Sequence, residues 1–425
     1  MSHAVYQFYL ALTFVGLIVL LLGLVTGSIT NRLYVSETLV AFALGVLVGP
    51  LGLHIFDLGI WGPRNVLLEN AARITLAIAL MGSALRLPAA YPMQTKRDLG
   101  IMLGPLMVLM WLSTSAIIWL VLRLVVWQTL LIGAILTPTD PVVAGSVVTG
   151  DLARRVIPSR IRNIISATSG ANDGLGYPLV RLPIIMLAKP AGAALLFWAW
   201  HTIFYEVLLA VLLGAALGAL SGHLVNWSRR HETGTPASYA ALALALSLGV
   251  VGMVRLMGSD SILAVFVAGL AFRRVSERTT HHPEEWVQDA VSRLLTLPIF
   301  VLLGMVIPWH AWTALGWRAA LLSVAVLLLR QLPSVLLLRK MIASLVGLPD
   351  ALFLGWFGPI GISAVFYAAL AVRETGMNDV WTISSLLIAA SVVVFGITAT
   401  PLTRLYGHYR SANENPRREQ ERRTA

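Results

Sequence analysis

The chain alternates between apolar stretches about as long as a bilayer is thick and short breaks rich in polar, Gly and Pro residues. A helix needs about 20 mostly apolar residues to cross the hydrocarbon core. Thirteen such segments can be drawn: 8–27, 35–55, 65–86, 99–123, 127–149, 161–187, 196–223, 237–256, 259–273, 288–307, 316–338, 345–371 and 380–403. The ninth is the shortest. Of the 425 residues, 57% are hydrophobic and only 12% are charged. That charged share is about half of what a soluble domain carries. In lipid every backbone polar group must be satisfied inside the protein, and long apolar segments do this as helices. The expected fold is an all-α polytopic membrane protein with about 13 transmembrane helices. The first run is long for a leader and follows no Lys or Arg, so it reads as a retained span.

Lys and Arg number 31 against 20 Asp and Glu, a net charge of +11. In a soluble chain that excess would point to nucleic acid. Topology explains it here. With the C-terminus inside, the inner breaks and the tail hold 20 of the 31 basic residues, the outer ends six, and the spans five. The positive-inside rule therefore places the N-terminus outside and the C-terminus in the cytoplasm. The expected partner is membrane lipid, with no role for nucleic acid. The basic tail, 407–425, reads as disordered and suited to anionic headgroups. There are no cysteines, which excludes disulfides, thiolate metal sites and cysteine nucleophiles. No break is long enough to fold as a soluble domain, so function resides within the membrane part, 1–406.

Ionisable groups at bilayer depth are costly and mark ion pathways. In the fifth span, Thr137-Pro138-Thr139-Asp140-Pro141 places a carboxylate between two prolines. Each proline removes a backbone donor and obstructs the preceding turn, so the helix should break. Asp140 can cap the second half of its own broken helix, shape a site, or both. In the sixth span, Ser169, Gly170, Asn172 and Asp173 fall within five residues. Ser169 and Asp173 share a helical face. Their hydroxyl and carboxylate suit an alkali cation, and one carboxylate can exchange a proton for that cation. Small residues such as Gly170 and Ala171 also pack membrane helices closely, which leaves Asp173 unexplained. The twelfth span carries Gly358-Pro359-Ile360-Gly361. Paired interrupted segments in two halves of a chain point to a binding site between inverted repeats. Arg330 lies deep in the eleventh span and needs an anionic or carbonyl partner. Glu69 and Arg73 can pair across one helical turn. Glu37, Glu206 and Asp289 read as interfacial or interhelical polar contacts. His281 and His282, near Glu284 and Glu285, read as a solvated loop able to sense pH.

These residues resemble the monovalent cation/proton antiporters, in the NhaP and Na+/H+ exchanger branch. Thr139-Asp140-Pro141 on one span, Asn172-Asp173 on the next and Arg330 on a later one carry the resemblance, which extends over nearly the whole chain. It implies an NhaA-like fold, with inverted repeats and two crossed discontinuous helices. It implies a core domain of spans 4–6 and 11–13, a dimerisation domain of spans 1–3 and 8–10, and span 7 as linker. It implies a homodimer in the plasma membrane (the inner membrane of a bacterium) that exchanges Na+, Li+ or K+ for H+, electroneutrally, without a cofactor and without being an enzyme. By this resemblance Asp173 binds cation and proton in turn. Asn172 and Asp140 shape the site, and Thr139 offers its carbonyl; the residues themselves add Ser169 and Asp140 as further cation ligands and Thr168 to the ion-binding set. Arg330, Pro138, Pro141, Gly358 and Pro359 are structural or charge-compensating. One departure stands out. Many relatives carry Glu where this chain has Thr168, and that Glu pairs with the later arginine. Arg330 must find Asp140, Glu69 or carbonyls instead. Two other readings remain. A related fold could carry an organic anion, although the core offers carboxylates. Ser169-Gly170 resembles a hydrolase nucleophile turn, but no His lies in a neighbouring span as its base.

Overall fold

A computed structural model describes residues 2–28, 34–50, 52–140, 143, 150–276 and 283–424. Among the described residues the secondary structure is helical, without strands. Each expected apolar segment falls on a helix. In chain order these are α1 (His3–Ser28), α2 (Glu37–Val48), α3 (Arg64–Arg86) and α4 (Lys96–Leu122). The next is broken into α5a (Val126–Ile135) and α5b (Gly150–Val156). Then come α6 (Ser159–Ala188), α7 (Ala191–Arg230), α8 (Pro236–Leu256), α9 (Ser261–Val275) and α10 (Pro283–Met305). α11 (Trp317–Met341) kinks at Arg330, where Pro333 leaves the Leu329 carbonyl without its helical donor. The twelfth is again broken, into α12a (Leu348–Trp356) and α12b (Ile362–Thr375), and α13 (Asn378–Thr424) closes the chain. Among the described residues, six helices are long and apolar enough to cross a membrane alone. The molecule is an integral membrane protein with a polytopic helical fold. α13 continues as helix to Thr424, where the sequence suggested disorder. Arg, Glu and Gln dominate that stretch and are good helix formers.

Helix contact in lipid depends on close approach, because lipid tails are as apolar as Leu. Gly214, Gly218 and Gly222 form a buried stripe on α7 that faces α9. A Cβ at Gly218 would lie 2.1 Å from the Ala268 carbonyl oxygen. α12b is buried along Ile362–Val372 and sits inside the bundle. α1 is the opposite case, with Leu12, Leu20 and Leu24 exposed as a lipid-facing surface would require.

Polar contacts define two ends of the bundle. At one end Arg160 Nη2 lies 2.5 Å from Asp350 Oδ2, and Tyr406 donates to the other Asp350 oxygen at 2.5 Å. Nearby, Asp98 accepts from the Ala343 and Ser344 amides at 2.9 and 2.7 Å. At the other end Glu69 takes Arg73 at 2.5 Å, the pair expected one turn apart on α3. Arg373 of α12b joins it at 2.6 Å. Arg181 of α6 pairs with Glu374 there.

Replacing Gly218 with Leu should force α7 from α9 and destabilise the fold by about 1–3 kcal/mol. A lowered thermal midpoint of the detergent-solubilised protein is the expected readout.

Candidate functional site

The two broken helices meet at their breaks. α5a ends at Ile135, and residues 137–140 run irregularly past it. Thr137 turns its hydroxyl back to the Gly133 carbonyl at 2.7 Å. The Asp140 amide donates to the Pro359 carbonyl at 2.8 Å. Asp140 Oδ2 accepts from the Ile362 amide at 2.5 Å. Asp140 therefore caps α12b, the second half of the opposite broken helix. The first amides of a helix lack internal partners and carry a partial positive charge, which a carboxylate offsets. Gly361 makes this approach possible: any Cβ there would lie 2.1 Å from Asp140 Oδ2.

Arg330 neutralises the other ends. Its side chain is 2% exposed. Nη1 reaches the carbonyls of Leu136, Thr137 and Pro138, and Nη2 donates to Gly358. These carbonyls lie just past the C-terminal ends of α5a and α12a. Each helix end carries about half a negative charge, so two ends approximate the single charge of one guanidinium. Thr168 offers no carboxylate, and carbonyls are the partners Arg330 uses. Thr168 itself donates back to Ile164 at 2.6 Å while lining the site cavity.

α6 supplies the chemistry. Asn172 reads Thr139 in both directions: its Oδ1 accepts from the Thr139 amide at 3.2 Å, and its Nδ2 donates to Oγ1 at 2.9 Å. Thr139 Oγ1 also lies 3.0 Å from Ser169 Oγ. Together these contacts fix the break of α5 against α6. Asp173 is fully buried, and neither carboxylate oxygen has a hydrogen-bond donor. It faces Asp140 and the Ser363 hydroxyl. A carboxylate taken out of water without donors is stable only when a proton or a cation occupies it. A cavity of about 20 Å³ is lined by Thr139, Thr168, Ser169, Asn172 and Gln331, with Asp173 and Asp140 outside its lining.

The expected residues Thr139, Asp140, Ser169, Asn172 and Asp173 are thus brought together. Pro138 packs against Gly176, and Gly358 and Pro359 contribute carbonyls. Pro141, like His281 and His282, lies outside the described residues. Sequence reading missed Ser363 and Tyr367 on α12b. Tyr367 donates to the Asp173 carbonyl at 2.5 Å and approaches that of Gly174 at 3.5 Å. Pro178 has no amide hydrogen for the Gly174 carbonyl, so an outside donor has a reason to be there. That orphaned carbonyl was the available signal.

A helical membrane protein whose two broken helices cross at buried carboxylates belongs to the crossed-helix transporter class. The transmembrane sodium/hydrogen exchanger family model matches residues 16–405. A probable Na+/H+ antiporter of Schizosaccharomyces pombe is 32% identical over 379 residues, covering 87% of this chain and 50% of that protein. Na+/H+ antiporter 2 of Zygosaccharomyces rouxii is 31% identical over 434 residues, covering 95% and 53%. The chain thus spans about half the length of these yeast relatives. The solved sodium proton antiporter MjNhaP1 of Methanocaldococcus jannaschii superposes with a TM-score of 0.69 at 19% identity, over 95% of this chain and 98% of that one. The chain belongs to the sodium/hydrogen exchanger family.

Replacing Arg330 with Gln leaves its carbonyl partners without a cation, at a cost of about 3–5 kcal/mol by analogy with a broken buried pair. A large fall in thermal midpoint is expected, with the cation affinity of any surviving folded protein less affected. Asn172→Ala should cost about 1–3 kcal/mol by leaving the Thr139 amide and hydroxyl unsatisfied. Chemical denaturation in detergent measures it.

Proposed function

We propose that this chain is a secondary antiporter that exchanges a monovalent cation, Na+, Li+ or K+, for H+ by alternating access. One observation carries the reading: Asp173 is fully buried where two broken helices meet, with no cationic side chain beside it among the described residues and only the Ser363 hydroxyl facing its carboxylate as a donor. Such a group alternates between a proton and a cation, and one-for-one occupancy makes the exchange electroneutral. Ser169, Thr139, Asn172 and Asp140 provide the surrounding oxygens and fix their positions. The names of the yeast relatives support the same reading. Ser169 shares its hydroxyl with Thr139 and so reads as a site oxygen rather than a nucleophile.

The sidedness follows from charge. The Arg160–Asp350 end carries the Arg-rich breaks and is the cytoplasmic face, and the Glu69–Arg373 end is the outer face. This puts the N-terminus outside and the C-terminus in the cytoplasm of a plasma membrane, the inner membrane in a bacterium. The protein works as a homodimer through α1–α3 and α8–α10, while α4–α6 and α11–α13 form the core and α7 links them. No cofactor takes part.

Everted vesicles report the activity as dissipation of a pH gradient on addition of Na+, Li+ or K+. Asp173→Ala and Asp173→Asn should reduce the signal to that of vesicles without the protein, with normal expression. Full activity in either variant would overturn the site.

A further inference from the structure

A second group of buried acids lies between Asp173 and the Glu69–Arg373 end of the bundle. α7 winds as a π-helix over Trp198–Val207. Such segments often mark functional sites. Its two buried side chains are Thr202 and Glu206. Glu206 is 3% exposed. Its Oε1 accepts from the Tyr177 hydroxyl at 3.1 Å, and its Oε2 has no hydrogen-bond donor but lies 4.0 Å from Arg181 Nε. Ser259 donates to the Glu206 backbone carbonyl, which brings Asp260 alongside. Asp260 is 4% exposed and caps α9: its Oδ1 accepts from the Ile262 and Leu263 amides at 3.0 and 3.3 Å. Its Oδ2 has no partner, and neither has the Thr202 hydroxyl.

The position is close to Asp173. α6 and α9 run in opposite directions in direct contact: a Cβ at Gly170 would lie 2.3 Å from Phe266, and one at Gly174 would lie 2.7 Å from the Leu263 Cα. One turn further along each helix come Tyr177 and Asp260. The charged and titratable groups facing the pair are Tyr177 and Arg181 from α6, Arg73 from α3, Tyr367 from α12b, and His201 on α7 itself.

We propose that Asp260 and Glu206 form a second, proton-holding site that supplies Asp173 from the Glu69–Arg373 face. This rests on the antiport reading. Two buried carboxylates each present an oxygen without a donor, which a single proton satisfies without further ligands. An alkali ion needs a shell of oxygens, which two carboxylate oxygens and the Thr202 hydroxyl do not supply. A proton from water on that face binds Asp260 Oδ2. It leaves through water to the carboxylate of Asp173, and Asp260 returns to its anionic form with no net chemistry.

The full-length protein in proteoliposomes, with pH set separately on each side, tests this. Asp260→Asn keeps the helix cap, since Asn caps nearly as well as Asp. Glu206→Gln keeps an acceptor for Tyr177. When protons enter from the Glu206 face, Asp260→Asn should slow cation-coupled flux at limiting proton concentration by at least about tenfold. Half-saturating Na+ on the opposite face should stay within about twofold. Asp260→Glu should restore the pH profile. An unchanged profile in a folded Asp260→Asn, or equal loss from both faces, overturns the site. If Asp260→Asn does not fold, Glu206→Gln decides by the same criteria. A wild type without cation-coupled flux overturns antiport itself. Even then, the infrared difference between the wild type and Asp260→Asn should show the loss of one carboxylic-acid C=O component, and a difference spectrum without such a component would refute the proton site.

Discussion

Two helices broken in mid-membrane need a charge at each loose end, and Arg330 provides the one on which the crossing depends. Four carbonyls from two different spans converge on one guanidinium. Without it, the C-terminal ends of α5a and α12a would face each other as like partial charges in a medium that screens little. Its planar fork suits the task in a way that a lysine ammonium would not, because separate donors address separate helix ends. The positive N-terminal end of α12b is matched in turn by Asp140. The two charges belong to one arrangement: a cation for two helix C-termini and an anion for the helix N-terminus between them. Asp173 is a carboxylate that stands outside that balance.

Local chemistry made much of this legible in the sequence. The prolines at 138 and 359 and the glycines at 358 and 361 are visible breaks, and Asp173 stands out as a carboxylate in an apolar run. The spacing of Glu69 and Arg73 gave their pairing. Identities of partners across the fold were harder. Asp140 was legible as a cap, but the amide it accepts from lies 222 residues away on α12b. Arg330 was legible as needing a partner, and only the crossing of the helices decides for carbonyls over Glu69, which is taken by Arg73 and Arg373. Ser363 and Tyr367 sit in an ordinary-looking apolar helix, and their polarity acquires meaning only when α12b packs on α6. Glu206 read as an isolated interfacial acid, because nothing local showed that Asp260 would be placed beside it. The basic tail was misread because its charge suggested disorder while its helix-forming residues favoured continuation of α13.

Packing and polarity are divided between helices. The glycine stripe of α7 brings the α9 backbone close without any polar group. Asn172, Thr139 and Ser169 join α5 to α6 by hydrogen bonds in the interior. Apolar contacts between membrane helices allow sliding at small cost, whereas a satisfied buried polar network holds one geometry. The α5–α6 unit is therefore the stiffer body, and the smoother faces lie around it.

The ion pairs between Glu69 on α3 and Arg373 on α12b reach across the bundle at one end. Any displacement of α12b along α3 must first part them. Arg373 is partly exposed, so dissolved salt weakens its hold, with a screening length of about 8 Å at physiological ionic strength. Ionic strength therefore sets how firmly α12b is tied to α3 at that end.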